Sequence, residues 1–401
     1  MRVTNPLAGL PREVGILVVV AAAVAIGYGV VAPAIPLFAS SFGVGNTAAG
    51  AVVSIFAATR LVSALGGGRV VERIGERTSL ALGIALVAVS SGLAGLSQTY
   101  VQLLILRGAG GVGSAVFTIA ATTLLLRSVP ARQRATAQGL FQGGFLIGGI
   151  AGPAIGGFII TSSLRAPFFL YAGTLAVAGG IGMAMLPRRA LGDGSTATGA
   201  DGGATTTLRE ALRLSAYRSA LFARFSYGLS SMGVRFAVVP IFVSQGLRED
   251  NAWVGVGFTV TALLSAVFLL PAGRIADRRG RRPVIVTGAL ISAVGMLMLA
   301  GLQSLPGYLV AMGVFGIGVG MLGPVTSAVV GDVIEGRAGT VVAAHQMAGD
   351  LGSVVGPLLA GLLVDAAGFG WAFSVTAVVL VASAALAARA PETNEVEPAP
   401  A

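Results

Sequence analysis

The strongest constraint on this chain is a repeated length. Apolar runs of about 17 to 26 residues recur from end to end, among them Val14 to Phe38, Leu80 to Leu96, Val101 to Leu126, Phe168 to Pro187, Ala252 to Ala272 and Trp371 to Ala388. As a helix rising about 1.5 Å per residue, each crosses the roughly 30 Å hydrocarbon layer of a bilayer with its backbone polar groups paired internally. Segmenting at charged or turn-rich breaks predicts twelve spans, near 14–38, 47–67, 79–97, 101–126, 135–161, 168–187, 217–244, 252–272, 283–303, 307–331, 340–364 and 370–388. A charged fraction of 10% excludes an ordinary water-soluble domain of this length. The first span is too long for the apolar core of a signal peptide and no small-residue cleavage site follows it, so it is read as retained. Cysteine is absent, which excludes disulfides, thiolate metal sites and thiol nucleophiles.

Arginine alone sets the orientation, because the chain has no lysine. Assigning the inter-span segments alternately puts Arg2, Arg12, Arg69, Arg73, Arg77, Arg127, Arg132, Arg134, Arg188, Arg189, Arg209, Arg213, Arg218, Arg274, Arg278, Arg279, Arg281, Arg282, Arg337 and Arg389 on one side. Only Arg165 and Arg248 fall on the other. The positive-inside rule makes the richer side cytoplasmic, with both termini there, and an inner membrane is the expected location. The net charge of +10 is thus accounted for by topology, and no nucleic-acid partner is called for.

The chain also repeats itself. "GRVVERIGER" at Gly68 returns as "GRIADRRGRR" 205 residues later, and "PLF" at Pro36 and "GPAIGG" at Gly152 return 204 residues later as "PIF" and "GPLLAG". Three features at one offset indicate tandem duplication of a six-span half, with both charged segments on the same face. The predicted organisation is a first half over 1–187, a linker over 188–216, a second half over 217–390 and a disordered acidic tail over 391–401. The end of the linker, "LREALRLSAYR", reads as a short amphipathic surface helix.

These features resemble the major facilitator superfamily over essentially the whole chain. Its segment between spans two and three carries Gly-x-x-x-Asp-Arg-x-Gly-Arg-Arg. The second copy here matches in full, with Gly273, Asp277, Arg278, Gly280, Arg281 and Arg282; the first keeps Gly68, Arg73 and Gly75 but has Glu72 for the acid and Glu76 for a basic residue. The glycine would let two helices approach and the carboxylate would cap a neighbouring helix or pair with arginine, so that these loops gate the cytoplasmic end. Span five matches the pattern of the superfamily's exporters at Gly139, Gly148, Gly152, Pro153, Gly156 and Gly157. Glycine there removes the side-chain layer and proline frees a carbonyl, which implies a bendable seam where the halves rock, so that Gly152→Leu is expected to stop rocking with insertion intact. In span one, Gly27, Pro33 and Pro36 resemble the twelve-span drug exporters; in span four, Arg107, Gly111 and Gly113 match a further motif in which Gly110 replaces glutamine. The implied fold is an all-α membrane protein of twelve transmembrane helices, in two six-helix halves related as a tandem parallel repeat around a central cavity.

Charges deep within spans point to mechanism, since each is expensive unless paired or hydrated. Five are present: Arg60, Arg107, Arg224, Arg235 and Asp350. Arg224 is close enough to the cytoplasmic end to snorkel. Arg235 is too deep for that, and with Tyr28, Gln142 and Gln346 forms the candidate lining of the substrate cavity; the alternative is a hydrogen bond to carbonyls around Pro240. Arg107 is a proton-transfer candidate by resemblance, or a packing arginine bonded to carbonyls of span one. His345 belongs to the residue type that ordinarily titrates near neutrality, and is either a relay or structural. In the resembled fold spans two and eleven are neighbours, and Arg60 and Asp350 lie at matching depths, so the two are expected to face each other. Separation during rocking would let the acid take up a proton; the alternative is a static pair that fixes helix register.

The resulting expectation is a proton-coupled exporter, with a small-molecule substrate, protons and the lipid bilayer as partners, a single chain as working unit, and neither cofactor nor metal. Four deep arginines against one aspartate suit neutral or anionic amphipathic molecules better than permanent cations. A chain without lysine has no Gly-x4-Gly-Lys-Ser/Thr nucleotide loop. The competing readings are an importer of the same fold, a membrane-embedded enzyme, against which the single deep acid argues, and a sensor, which would need a sizeable soluble domain.

Overall fold

The computed structural model describes residues 10–130, 133–186, 207–333 and 339–393. Twelve helices among them are long and apolar enough to cross a membrane: Arg12–Ser40, Asn46–Ile74, Glu76–Gly95, Tyr100–Ser128, Thr136–Ser162, Ala166–Met185, Ser215–Gly246, Ala252–Arg279, Arg281–Gly301, Leu305–Val333, Thr340–Ala367 and Phe369–Arg389. They are called spans 1 to 12. Most of the linker lies outside the described residues. Its end forms a separate six-residue helix, Leu208–Arg213, closed at its start by a capping box in which Thr207 and Glu210 bond each other's backbone N–H. Those bonds hold the exposed Glu210 carboxyl below its usual range. The single surface helix expected through Arg218 does not form. Leu214 is extended and span 7 starts at Ser215, while Ala211 is buried against Tyr217, Val330 and Val341.

Several spans outrun their apolar stretches towards the arginine-rich end. Span 2 continues to Ile74 and span 8 to Arg279, so most of the two charged segments read as loops are helix. Only Gly75 and Gly280 turn, at φ of 82° and 100°, a region that L side chains rarely adopt. Helix propagates here because long arginine side chains favour it and the aqueous end solvates them. Span 1 breaks at Ala32–Pro33, where proline cannot continue the preceding hydrogen-bond ladder. Span 7 is interrupted by two π-helical stretches, Gly228–Val234 and Phe242–Gly246, on either side of Arg235.

The duplication is visible in the packing. A Cβ on Gly152 would lie 2.6 Å from Gly29 Cα, and one on the repeat partner Gly356 would lie 3.2 Å from Gly233 Cα. Gly113 meets Gly83 O as Gly318 meets Gly288 O. Spans 1 and 5 are therefore packed backbone to backbone in the first half, as spans 7 and 11 are in the second.

Between the halves, span 2 packs on span 11 and span 5 on span 8. The span 2–span 11 contacts form a ladder: Asn46 and Thr47 meet Gly361 and Asp365, Gly50 meets Pro357, Ser54 Oγ donates to Val354 O at 2.7 Å, and Arg60 reaches Asp350. All these rungs except the last lie towards the arginine-poor end. That end is closed: residues 29–39 of span 1 and 236–243 of span 7 are all buried. Phe38 packs on Phe168, and its repeat partner Phe242 packs on Phe373, with ring centroids 5.4 and 5.2 Å apart. Towards the arginine-rich end the contacts stop. Leu65 is 68% exposed, and a Cβ at Gly68, Gly139, Gly143 or Gly273 would meet nothing within 4 Å. The halves are parted at the arginine-rich end and joined at the other.

Candidate functional site

Arg60 and Asp350 stand at the point where the halves begin to part. Arg60 Nη2 lies 3.7 Å from Asp350 Oδ1, with the side chains 40% and 25% exposed. The sequence places both at this depth, and the packing of span 2 on span 11 brings them together. Partial hydration keeps such a pair to about 0.2–1 kcal/mol, so it separates at little cost.

Further in lies a cluster of packed aromatic rings drawn from both halves. Tyr28 of span 1 is its centre, with ring centroids 6.3 Å from Phe56, 6.2 Å from Tyr171 and 5.9 Å from Phe236, and Phe236 lies 5.2 Å from Phe258. Two arginines stack on these rings. The Arg107 guanidinium is 4.5 Å from the Phe56 centroid; that of Arg235 is 4.5 Å from Phe236 and 5.3 Å from Phe258. Neither makes the carbonyl hydrogen bonds offered as alternatives, and the Nε of each is buried without a partner among the described residues. Cation–π contact compensates about 0.5–2 kcal/mol, less than the several kcal/mol that burying a guanidinium costs.

The remaining candidates are dispersed. Gln346 is exposed and accepts a hydrogen bond from Arg224 Nη2 at 2.9 Å, and Arg224 also stacks over Tyr227 at 5.3 Å. Gln142 is exposed on span 5. His345 is 2% exposed with its Nε2 unpartnered, and the charged group facing it is Arg224. It does not join the Arg60–Asp350 pair.

Two readings are corrected by geometry. Gly148, Gly152 and Gly156 pack on Ala25, Gly29 and Val30 of span 1, so that seam lies inside the first half. Only the arginine-poor end of the motif reaches across, where a Cβ on Gly157 would lie 2.7 Å from Gly255 Cα of span 8 and Pro153 O meets the same glycine. Gly68 and Gly273 make no close helix approach in this conformation, because the ends that carry them are apart. In the charged segments, Asp277 pairs with Arg281, which also reaches Asp332 Oδ2 at 3.3 Å. The equivalent positions 205 residues earlier hold the same pair with charges exchanged, Glu76 with Arg127. Glu72 has no such ion pair among the described residues, and Arg73 and Arg278 end their helices as favourable C-terminal cations.

Three features went unread in the sequence. The aromatic partners Phe56, Tyr171, Phe236 and Phe258 carry no spacing signal because each comes from a different part of the chain. The tail expected to be disordered from 391 is docked through Thr393: Glu392 accepts from the N–H groups of Arg281 at 2.6 Å and Arg282 at 3.1 Å, capping span 9, and Thr393 Oγ1 donates to Asp332 at 2.9 Å. Residues 394–401 lie outside the described residues. At the opposite face, the Asp365 carboxylate accepts from Asn46 N at 2.9 Å, Asn46 Nδ2 at 2.8 Å, Thr47 N at 2.9 Å and Thr47 Oγ1 at 2.6 Å. One acid from span 11 thus caps the start of span 2 in the other half. Asn-Thr at a helix start and an acid just beyond an apolar run were the available signals.

The sequence profile of the Major Facilitator Superfamily matches residues 17–245 and again 220–401. The chain belongs to this superfamily. It is a multi-pass membrane transporter of small molecules and not an enzyme. The chain is 24% identical to Multidrug resistance protein 1 of Bacillus subtilis over 340 residues, covering 85% of this chain and 86% of that protein. It is 23% identical to Quinolone resistance protein NorA of Staphylococcus aureus, covering 85% and 87%. The synaptic vesicular amine transporter of Bos taurus is 24% identical over 78% of this chain and 60% of its own length. Among solved structures, a bacterial homologue of the human lysosomal transporter Spinster, in its inward-facing, occupied conformation, superposes with a TM-score of 0.76 at 15% identity, covering 96% of this chain and 97% of that one. The superfamily's transporter fold is therefore present with its drug-exporter relatives.

Proposed function

We propose that this protein is a proton-coupled exporter of small amphipathic molecules, neutral or anionic, that works by alternating access. The arginine-rich end then faces the cytoplasm, both chain ends lie there, and the conformation described above is open inward from an inner membrane. The observation that carries this reading is the placement of Arg60 and Asp350 as the last rung of the ladder between spans 2 and 11. Any motion that closes the arginine-rich end and opens the other must rework this rung first or last. Freed from Arg60 while the site faces outward, Asp350 takes up one proton from outside. When Arg60 returns in the inward-open state, it displaces that proton into the cytoplasm, and substrate travels the other way.

The substrate site is a chamber that this aromatic cluster around Tyr28 walls. Substrate enters between the parted ends and is held by rings from both halves, so its contacts change as the halves rock. The Asp365 cap and the Phe38 and Phe242 contacts hold the outer face shut in the inward-open state. One chain supplies every part of this cycle. Resistance-protein relatives favour export over import, and an amine substrate would find the one deep carboxylate already engaged by Arg60.

The test uses purified protein in liposomes, with ethidium, 1-naphthol and 2-naphthoate as cationic, neutral and anionic probes. Wild-type protein should move a neutral or anionic probe uphill on an imposed pH gradient, in the direction opposite to the proton. Asp350→Asn should still exchange the probe across the membrane but no longer concentrate it. Retained uphill movement in Asp350→Asn would make the pair structural.

A further inference from the structure

We infer that Arg235 is the anion-binding group of the chamber and that the substrates it selects are aromatic carboxylates. This rests on the chamber being the substrate site, as proposed above, and sharpens it to one chemical class.

The duplication supplies the argument. Positions in the two halves correspond at offsets of 204 or 205, and the same helix packing recurs around each pair. The counterpart of Arg235 is Val31, and that of Arg107 is Met312. The fold therefore builds the same pair of packed spans without a cation at either place. A charge that the fold does not need, placed where it is costly, calls for a compensating anion.

No described residue supplies that anion. The ionisable side chains that face Arg235 are Tyr28, Tyr227 and Tyr308, and those that face Arg107 are Tyr28 and Tyr171. No carboxylate lies within ion-pair distance of either guanidinium among the described residues, and Asp350 is engaged by Arg60. The other deep cation, Arg224, has Gln346 Oε1 as an acceptor. Arg107 is 2% exposed behind Phe56 and Tyr28, so it adds positive potential without offering a binding edge. Arg235 is half-buried, its planar face is held against Phe236 and Phe258, and its Nε is without an acceptor.

A guanidinium fixed by its face presents its N–H edge, and a planar carboxylate meets that edge with two parallel hydrogen bonds. The rings of Tyr28 and Phe236, in edge-to-face contact with centroids 5.9 Å apart, then form one continuous wall beside whatever the carboxylate is attached to, and an aromatic group suits that wall through edge and face contacts. Aliphatic acids would gain the ion pair and little of the wall; neutral aromatics would gain the wall and leave the cation unpaired.

Equilibrium binding to the purified full chain tests this with no gradient present. Isothermal titration would compare 2-naphthoate, 2-naphthamide and 2-naphthylmethylammonium near neutral pH. The expected result is naphthoate tighter than the amide by about tenfold or more, which corresponds to about 1.4 kcal/mol, with the ammonium weakest. Arg235→Gln should bind naphthoate and amide alike, at the wild-type affinity for the amide. Arg235→Lys should keep part of the preference, since it retains charge but not the planar fork. The inference is overturned if wild-type protein binds the amide or the ammonium as tightly as naphthoate, if it binds none of the three, or if Arg235→Gln keeps the preference. Should Arg235→Gln not fold, the wild-type ranking and Arg235→Lys still decide. Because Asp350→Asn reads uphill movement and this assay reads affinity, either proposal can fail without the other.

Discussion

Replacing Asp365 by alanine should tip the protein from the conformation parted at the arginine-rich end towards one parted at the arginine-poor end. The carboxylate makes four hydrogen bonds of 2.6–2.9 Å, two to backbone N–H groups and two to side chains, all at the first turn of span 2. Taken one by one as bonds to a charged group they would sum to far more than the exposed site can deliver, because water competes for each. The better guide is the loss of a helix cap, about 0.5–2 kcal/mol. Here acid and helix belong to different halves, so opening the arginine-poor end breaks all four bonds at once. The full cap energy therefore biases the conformational equilibrium, and its removal should shift the ratio of states by about 2- to 30-fold. The absence of cysteine makes the measurement direct. Spin labels on Ser41→Cys with Ala366→Cys report the arginine-poor end, and labels on Val70→Cys with Val342→Cys report the other, all four positions being exposed. Double electron–electron resonance on Asp365→Ala should show the first distance lengthening and the second shortening in an increased fraction of molecules. Asp365→Asn, which keeps one acceptor oxygen, should fall between. Identical distance distributions in parent and Asp365→Ala would refute the cap as an element that closes the arginine-poor end.

The span 5 glycines should separate into two classes. Gly152→Leu is expected to lower thermal stability of the purified protein, because even a Cβ there meets Gly29 Cα and Ile26 O at 2.6 Å within one half. Gly139→Leu, with open space around it, should leave stability unchanged yet slow transport if the parted ends must close over it; equal stabilities for the two variants would contradict the packing. The exchanged ion pairs predict a rescue: Glu76→Arg or Arg127→Glu alone should each reduce transport, and the double variant should recover it, with a coupling of about 0.2–1 kcal/mol in a double-mutant stability cycle. No recovery in the double variant would show that the pair's charges act on other partners.

Much of this molecule is legible in one dimension. Twelve spans follow from run length, because lipid offers no partner for backbone polar groups and only a helix closes them all within one segment. The orientation relative to arginine and the duplication at 204–205 residues are likewise properties of the string. Even the Arg60–Asp350 contact was accessible, since depth along a helix is a count of residues and the fold names the neighbour. The charged segments read as loops because hydropathy ends at Gly68 and Gly273 while helix propensity does not; the stop is written only in Gly75 and Gly280.

What the sequence could not fix is which surfaces meet. Glycine permits close packing with any helix, and only the bundle decided that Gly152 packs against Gly29 inside one half and Gly157 against Gly255 across the two. The aromatic cluster around Tyr28 draws single residues from spans 1, 2, 6, 7 and 8, with no spacing between them to read. Composition and periodicity act along a helix and so determine the elements; a site made of one side chain per helix exists only once rotation and tilt of every helix are set together. The same holds for charge. The chain dictates that Arg235 is deep, but its being stacked against Phe236 and Phe258 with no carboxylate in reach among the described residues is a consequence of packing alone.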